Sequence, residues 1–112
     1  MSDFYKRGRA FIVQEVAGRN LQSVRDWGSE VIAVFPANRQ IIFSPAPAVR
    51  KAYETLRDFN DADYLVAIGD PALIGIACAV AATRNEGRFN LLKWDRLEQR
   101  YYEVRIGIPT GR

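Results

Sequence analysis

The sequence predicts a single α/β domain with a mixed sheet of five or six strands and two to three helices. Its 112 residues suffice for one domain of ordinary size. A hydrophobic fraction of 48% and a charged fraction of 26% are typical of globular chains. Segments of strand and helix length follow one another in the order β-α-β-β-α-β-α-β-β. Because strand–helix–strand crossovers give parallel neighbours and hairpins give antiparallel ones, we expect the sheet to be mixed.

We expect this domain to span residues 9–108. Residues 1–8 are mostly polar and should form a flexible N-terminal arm, and residues 109–112 should form a C-terminal tail. No internal repeat and no Gly/Ser-rich linker divides the chain.

The first strand and the first helix are predicted from residue types. The segment from Arg9 to Val16 is rich in β-branched and aromatic residues, which favours a strand. Asn20 is a suitable N-cap for a short helix that ends at Gly28. Apolar residues lie one turn apart along this helix, namely Leu21, Val24 and Trp27.

A β-hairpin and a second helix are expected next. Two apolar runs, residues 30–36 and 40–44, flank the turn-forming residues 37–39, which favours a hairpin. Residues 47–59 then carry apolar side chains at helical spacing, which predicts an amphipathic helix lying on a core. The apolar face of this helix comprises Val49, Ala52, Tyr53, Leu56 and Phe59.

The second half of the chain is predicted to add three strands and the most apolar helix. Residues 64–68 form a continuous apolar run, as expected of a central strand that is covered on both faces. A helix over residues 71–85 follows, with Asp70 as its N-cap. The last two strands are predicted over residues 88–94 and 100–108.

The helix predicted over residues 71–85 is apolar on every side. Its apolar run from Pro71 to Ala82 spans 12 residues, whereas a membrane span needs about 20. A helix without a polar face must be covered by protein, either by flanking loops and terminal strands or by a partner chain. Small side chains would permit close approach on one side. The residues that we expect to contact a partner are Gly75, Ile76, Ala79 and Ala82.

The composition excludes several kinds of catalysis. The chain has no histidine and a single cysteine, which excludes Ser-His-Asp and Cys-His catalysis, His-ligated metals and an internal disulfide. Cys78 lies among apolar residues and is predicted to be inert. Asp70 is interpreted as a helix cap and Asp61-x-Asp63 as a turn. We therefore predict no catalytic residues, no metal site and no cofactor, and a protein that is not an enzyme.

The C-terminal hairpin indicates an alternative function, nucleic-acid binding. Strand alternation places Tyr101, Glu103 and Arg105 on one face. If the basic residues share an exposed face with Tyr101, charges for phosphates alternate with a ring for base stacking. The residues that would bind are Lys93, Arg96, Arg100, Tyr101 and Arg105. A solvated strand face with cross-strand charge pairs is the other interpretation.

The charge of the chain is unevenly distributed. Its net charge is +3, with +3 on residues 1–25, −3 on residues 26–83 and +3 on residues 84–112. The basic ends would form one positive face if they lay together. The N-terminal segment lacks the apolar core of a signal peptide, and a free cysteine suits a reducing compartment. We therefore expect a cytoplasmic protein.

Two segments of the second half carry a distinctive pattern. They are DADYLVAIGDPALIGIACAVAA, residues 61–82, and GRFNLLKWDRLEQRYYEVRI, residues 87–106. They combine an acidic turn, a strand, Gly-Asp-Pro, a helix of small residues, Leu-Lys-Trp-Asp-Arg and a tyrosine-rich strand. Together they resemble a group of small uncharacterised proteins of tailed bacteriophages. The resemblance implies a phage accessory protein in the host cytoplasm, and it brings no catalytic residues with it.

Three functions are therefore considered. The first is a non-enzymatic interaction protein, which associates through its apolar helix with a protein partner or with itself as a homo-oligomer. The second is a nucleic-acid-binding accessory protein that uses the basic hairpin. The third is a magnesium-dependent enzyme acting on phosphate compounds. The only feature in favour of this function is the number of acidic residues.

Overall fold

The structure, a computed structural model, describes residues 8–16, 21–38 and 44–110. Within these residues a 3₁₀ helix, Gln22–Asp26, follows the first strand. The strands are β1 Arg9–Gln14, β2 Glu30–Phe35, β3 Tyr64–Val66, β4 Arg88–Asp95 and β5 Arg100–Gly107. The α-helices are α1 Ala46–Thr55 and α2 Pro71–Arg84.

The five strands form one mixed sheet in the order β2-β1-β3-β4-β5. β1 runs parallel to both β2 and β3, and β3 runs parallel to β4. Among the strands of the described residues, only the β4–β5 hairpin is antiparallel. The predicted fold class, a single small α/β domain with a mixed sheet, is thereby confirmed. The predicted hairpin between residues 30–36 and 40–44 depends on residues 39–43, which lie outside the described part of the chain.

The direction of the crossovers places the helices on the two faces of the sheet. The connection from β1 to β2 runs one way across the sheet, and the connections from β2 to β3 and from β3 to β4 run the other way. Right-handed crossovers that run in opposite directions lie on opposite faces. Accordingly α1 and α2 share one face, the helix side, and the 3₁₀ helix covers part of the other.

Each face of the sheet has its own apolar core. On the helix side Phe11, Leu65 and Phe89 of the sheet pack against buried residues of α1 and α2. On the opposite face Ile12, Val66 and other sheet residues pack with Val24 of the 3₁₀ helix. Because Leu65 and Val66 enter different cores, β3 is covered on both faces, which confirms the prediction for a central strand.

Helix α1 is shorter than predicted. It ends at Thr55, and residues 56–58 form a turn. Leu56 and Phe59, which the prediction placed on the helix, still lie in the core. Phe59 reaches the core because the turn carries it back toward the sheet, where its ring lies 5.9 Å from that of Phe11. The apolar spacing thus indicates burial correctly, whereas it overestimates helix length.

The carboxyl ends of the first three strands are joined by Gln14. Its side chain is 5% exposed, and its Oε1 accepts a hydrogen bond from Asp70 N at 2.8 Å. Its Nε2 donates to the carbonyl of Pro36 at 3.1 Å. Gly69 has a φ of 125°, and a Cβ there would overlap the Gln14 side chain. The loops after β1, β2 and β3 are therefore fixed to one another by one amide.

The amino ends of β1 and β3 are joined by a buried carboxylate. Asp63 is 1% exposed, and its oxygens accept hydrogen bonds from Arg9 N at 2.8 Å, Arg9 Nη2 at 2.9 Å and Asn60 N at 2.9 Å. The hydrogen bonds that the Arg9 guanidinium donates to Asp63 are the main reason why the pKa of Arg9 is raised above its ordinary value. A buried charge is tolerated only when it is paired in this way.

We expect Asp63→Ala to lower the free energy of unfolding by about 2–4 kcal/mol, since it removes the buried carboxylate that pairs with the Arg9 guanidinium and leaves the backbone N–H groups of Arg9 and Asn60 without their acceptor. Asp58→Ala is the matched control. The Asp58 side chain is 74% exposed and lies 3.8 Å from Arg9, so its removal should cost less than about 1 kcal/mol. Urea denaturation followed by circular dichroism measures both. Equal losses for the two variants would contradict the structural role of Asp63.

Candidate functional site

Helix α2 is covered on one side only. Leu73, Ala77 and Ala81 are buried against the sheet and α1. On the other side Gly75 and Ala79 are exposed. The remaining two predicted contact residues, Ile76 and Ala82, are partly buried and pack at the margin of the helix-side core. Within the described residues, flanking loops and terminal strands leave Gly75 and Ala79 accessible.

The outer face of α2, defined here as Ala72, Gly75, Ile76 and Ala79, differs from that of its neighbour. Helix α1 packs beside α2 on the same face of the sheet. The exposed positions of α1 include Arg50, Lys51 and Glu54, which are typical of a solvated surface. The outer face of α2 holds no charged residue and no side chain larger than isoleucine. It is a flat apolar surface beside a charged one.

No packing contact among the described residues requires a glycine at position 75. A Cβ at position 75 would meet no atom within 4 Å outside its own helix, whereas at Gly87 a Cβ would overlap the carbonyl of Ile108. A glycine in an exposed helix interior costs about 1 kcal/mol relative to alanine. This cost is not offset by any contact among the described residues.

The rim of this surface is polar at the end of the helix. Arg84 Nη2 donates to the carbonyl of Tyr53 at 2.9 Å, and its guanidinium lies 4.7 Å from the centre of the Tyr53 ring. These contacts fasten the last turn of α2 to α1. Beside the surface, Cys78 is partly buried, and burial raises the pKa of its thiol. The thiolate, which is the nucleophilic form, is therefore disfavoured near neutral pH.

The hairpin residues predicted to bind nucleic acid do not form one surface. Lys93, Arg96, Arg100 and Arg105 are exposed. Tyr101, by contrast, is 4% exposed and packs in the core beneath the 3₁₀ helix. The prediction that Tyr101 lies on an exposed platform is therefore wrong.

The prediction for Tyr101 is wrong because strand alternation determines which face of the sheet a side chain is on, but not what covers that face. Tyr101 and Arg105 do share a face, but the 3₁₀ helix covers only the Tyr101 end of it, where the Tyr101 ring lies 5.0 Å from that of Trp94. Trp94 thus anchors the hairpin. Lys93 points to the other face, with its Nζ 5.8 Å from the centre of the Tyr102 ring.

An open groove on the face opposite α1 and α2 was not predicted. One part, of about 470 Å³, is lined by Trp27, Tyr64 and Tyr101 among others. The other part, of about 500 Å³, is lined by Tyr64, Arg88 and Arg105 among others. Tyr64 is opposite Asn90 across the β3–β4 pair. The sequence does not reveal this groove because it does not give the strand order that brings these side chains together.

Arg88 and Arg105, two of the arginines that line this groove, are paired with acidic side chains. Arg88 Nε lies 3.1 Å from Asp61 Oδ1, and Arg105 Nε lies 3.3 Å from Glu103 Oε2. Hydrogen bonds from Arg88, and then from Asn85, hold the pKa of Asp61 below its ordinary value. The same pair raises the pKa of Arg88. The groove therefore presents little net positive charge to a phosphate backbone.

The acidic residues have structural partners as well. Asp61 binds Arg88 and Asn85, and Asp63 binds Arg9. Asp70 Oδ1 accepts a hydrogen bond from Ala72 N at 2.7 Å, which confirms its role as the cap of α2. Among the described residues, no three acidic or cysteine side chains gather where they could hold a metal ion. In the same part of the chain, no helix has the length and apolarity needed to cross a membrane.

We expect Asp61→Asn to reduce the loss of stability in acid. Because the folded pKa of Asp61 is lowered, its stabilising contribution is present above its unfolded pKa of about 4 and is lost as the pH falls through the folded pKa. The free energy of unfolding should therefore drop less between about pH 7 and about pH 3 in this variant than in the unmodified chain. Glu54→Gln, on the exposed face of α1, serves as the control. An unchanged acid sensitivity of Asp61→Asn would refute this contribution.

The comparisons with known proteins agree with the resemblance seen in the sequence. Residues 8–108 match the model of a family described as Phage Pam3 gp32-like protein. Comparison with curated proteins and with solved structures gives no match. The family match includes both segments that resemble phage proteins, residues 61–82 and 87–106, and extends over nearly the whole chain. The chain therefore belongs to the Phage Pam3 gp32-like protein family.

Proposed function

We propose that this chain is a non-enzymatic accessory protein of a bacteriophage, which binds a protein partner through the outer face of α2 in the host cytoplasm. The observation that carries the proposal is the accessible apolar surface formed by Gly75 and Ala79 with Ile76. If this surface were in contact with water only, charged residues would be expected on it, as they are found on α1. Membership of a phage family supports the viral setting.

The surface suits close packing of a second helix or strand. Gly75 and Ala79 are one turn apart, so they lie above one another on the helix. Their small side chains would let a partner backbone approach closely, and Ile76 would supply an apolar contact between them. Gly75, which no packing contact among the described residues requires, then has a role in the complex.

The chemistry of the chain supports a binding role more than a catalytic one. The sequence has no histidine, the pKa of the Cys78 thiol is raised, and Asp61, Asp63 and Asp70 are engaged in structural hydrogen bonds. General acid–base or nucleophilic catalysis needs such a group to be poised beside the reacting atoms.

Site-specific cross-linking tests the proposed surface. A photoreactive phenylalanine analogue placed at position 79 should cross-link a partner protein in lysates of phage-infected cells, whereas the same analogue at position 54 of α1 should not. The cross-linked partner is then identified and purified, and its affinity is measured by calorimetry. Equal cross-linking at the two positions, or none at position 79, would remove the proposal.

Two substitutions on the same surface sharpen the test. Ala79→Arg should weaken binding of the purified partner at least about tenfold, because it places a charge in an apolar contact. Gly75→Ala should raise the free energy of unfolding of the isolated chain by about 0.5–1 kcal/mol and yet weaken partner binding. Glu54→Arg is the control and should change neither property strongly. Unaltered affinity in both outer-face variants would contradict the proposed contact.

Nucleic-acid binding is the second candidate, supported by the four exposed cations of the hairpin. With Tyr101 buried, it would rest on phosphate contacts rather than ring stacking. The dissociation constant for single-stranded DNA should then rise steeply with salt, with a log–log slope of about 0.7 per phosphate contacted. Replacing Lys93, Arg96, Arg100 and Arg105 together by glutamine should abolish binding. Absence of binding at low salt in a fluorescence-anisotropy titration would exclude this function.

A further inference from the structure

Strand β5 is an edge of the sheet in the described part of the chain. Ile108 N donates to the carbonyl of Gly87 at 2.8 Å, so the amide of Ile108 points toward the β4 side. Successive amides along a strand point to opposite edges. The N–H and C=O groups of Glu103, Arg105 and Gly107 therefore point away from β4. An edge of this kind is a template for pairing with another strand.

The helix layer does not extend over this edge. Helix α2 packs on β1 and β4, and on the same face Tyr102 remains 38% exposed and Val104 and Ile106 are only partly buried. These three side chains form an apolar strip along the margin of the helix side. Ile108, just beyond the strand, is also exposed.

We infer that β5 pairs with β5 of a second copy of this chain, antiparallel and about a two-fold axis through Val104, so that two five-stranded sheets become one continuous sheet. The edge strand is self-complementary in this register. Glu103 lies opposite the second copy's Arg105, and Arg105 lies opposite the second copy's Glu103. On the helix side, Tyr102 lies opposite the second copy's Ile106, and the two Val104 side chains meet on the axis.

Other registers are less favourable. A two-fold axis normal to the sheet keeps every side chain on its own face, so the axis must pass through a residue of β5. An axis through Glu103 or through Arg105 would place like charges directly opposite each other, which destabilises a strand pair. An axis through Tyr102 would leave Gly107 and Ile106 opposite the hairpin turn. The axis through Val104 alone pairs both charges with opposite charges and uses nearly the whole strand.

This contact is separate from the proposed partner surface on α2. It involves the edge of the sheet rather than the outer face of a helix, and it requires no other protein. The two proposals can therefore fail independently. Ala79→Arg should leave dimerisation unchanged, and changes at Glu103 and Arg105 should leave the outer face of α2 intact.

Hydrogen exchange tests the inference without any substitution. When the protein concentration rises from about 10 µM to about 1 mM, the amides of Glu103 and Arg105 should become protected together with a shift to dimer in sedimentation. The inward amides of Val104 and Ile106 are the internal control, since they bond to β4 at every concentration. A chain that stays monomeric, or a dimer in which the outward amides remain unprotected, would overturn the inference.

Charge exchange tests the register. Glu103→Arg and Arg105→Glu should each raise the dimer dissociation constant about tenfold, because each turns two attractive cross-strand pairs into repulsive ones. Mixing the two variants should restore association as a heterodimer. Within each variant chain, the contact between residues 103 and 105 stays repulsive on mixing, so recovery reports on contacts between chains. Thermal melting verifies that each variant is folded. An unchanged dimer dissociation constant in the single variants, or the absence of a heterodimer after mixing, would refute the register.

Discussion

The ion pair between Asp63 and Arg9 joins the amino ends of β1 and β3, the two strands with which β2 and β4 pair. It joins the turn before β3 to the first residue of β1, and β1 pairs with both β2 and β3 in the middle of the sheet. The same turn also provides Asp61, which binds Arg88 at the start of β4 and accepts a hydrogen bond from Asn90 through its carbonyl. Two residues of one turn, Asp61 and Asp63, thus join three strands. Because a buried carboxylate is stable only when its hydrogen-bond donors are in place, these contacts fix the geometry of the turn.

The exposed surfaces of the molecule follow from how much of the sheet the helices cover. Two helices on one face reach as far as β4, and the short 3₁₀ helix covers only part of the other face. What they leave open is the margin along β5, the groove around Tyr64 and the outer side of α2. These three surfaces differ in chemistry. The groove has charges that compensate one another, the β5 margin combines backbone groups with an apolar strip, and the outer side of α2 is made of small apolar side chains. The β5 margin and the outer side of α2 both expose apolar side chains that a second protein surface could bury.

The sequence was sufficient for the fold class and for most elements, because apolar periodicity, the Asp70 cap and the Gly and Pro positions are local signals. Three features could not be predicted from the sequence, each for a physical reason. Arg9, which forms the ion pair with Asp63, is 54 residues away in the chain, so the burial of Asp63 could not be inferred from a turn motif. The cover over Tyr101 is a 3₁₀ helix that is distant in sequence, so alternation along β5 gave the correct sets of residues but the wrong exposure. The groove at Tyr64 depends on β3 lying beside β4, and strand order is not encoded locally. The outer face of α2, in contrast, was visible in the sequence as an apolar helix without a polar side.

The amide of Gln14 has a consequence for how this fold is used. In open α/β sheets a ligand commonly sits at the carboxyl ends of the strands, where the strand order reverses, and backbone N–H groups at the start of a helix face it. Here the order reverses at β1 and β3, yet the Asp70 N–H at that point already bonds to Gln14 Oε1, and the Asp70 carboxylate takes the first free N–H of α2. Two of the backbone donors that could bind a phosphate at this point, the N–H groups of Asp70 and Ala72, are thus engaged inside the molecule. The residues around this crevice therefore hold one another, which makes the carboxyl ends of the first three strands a rigid part of the molecule.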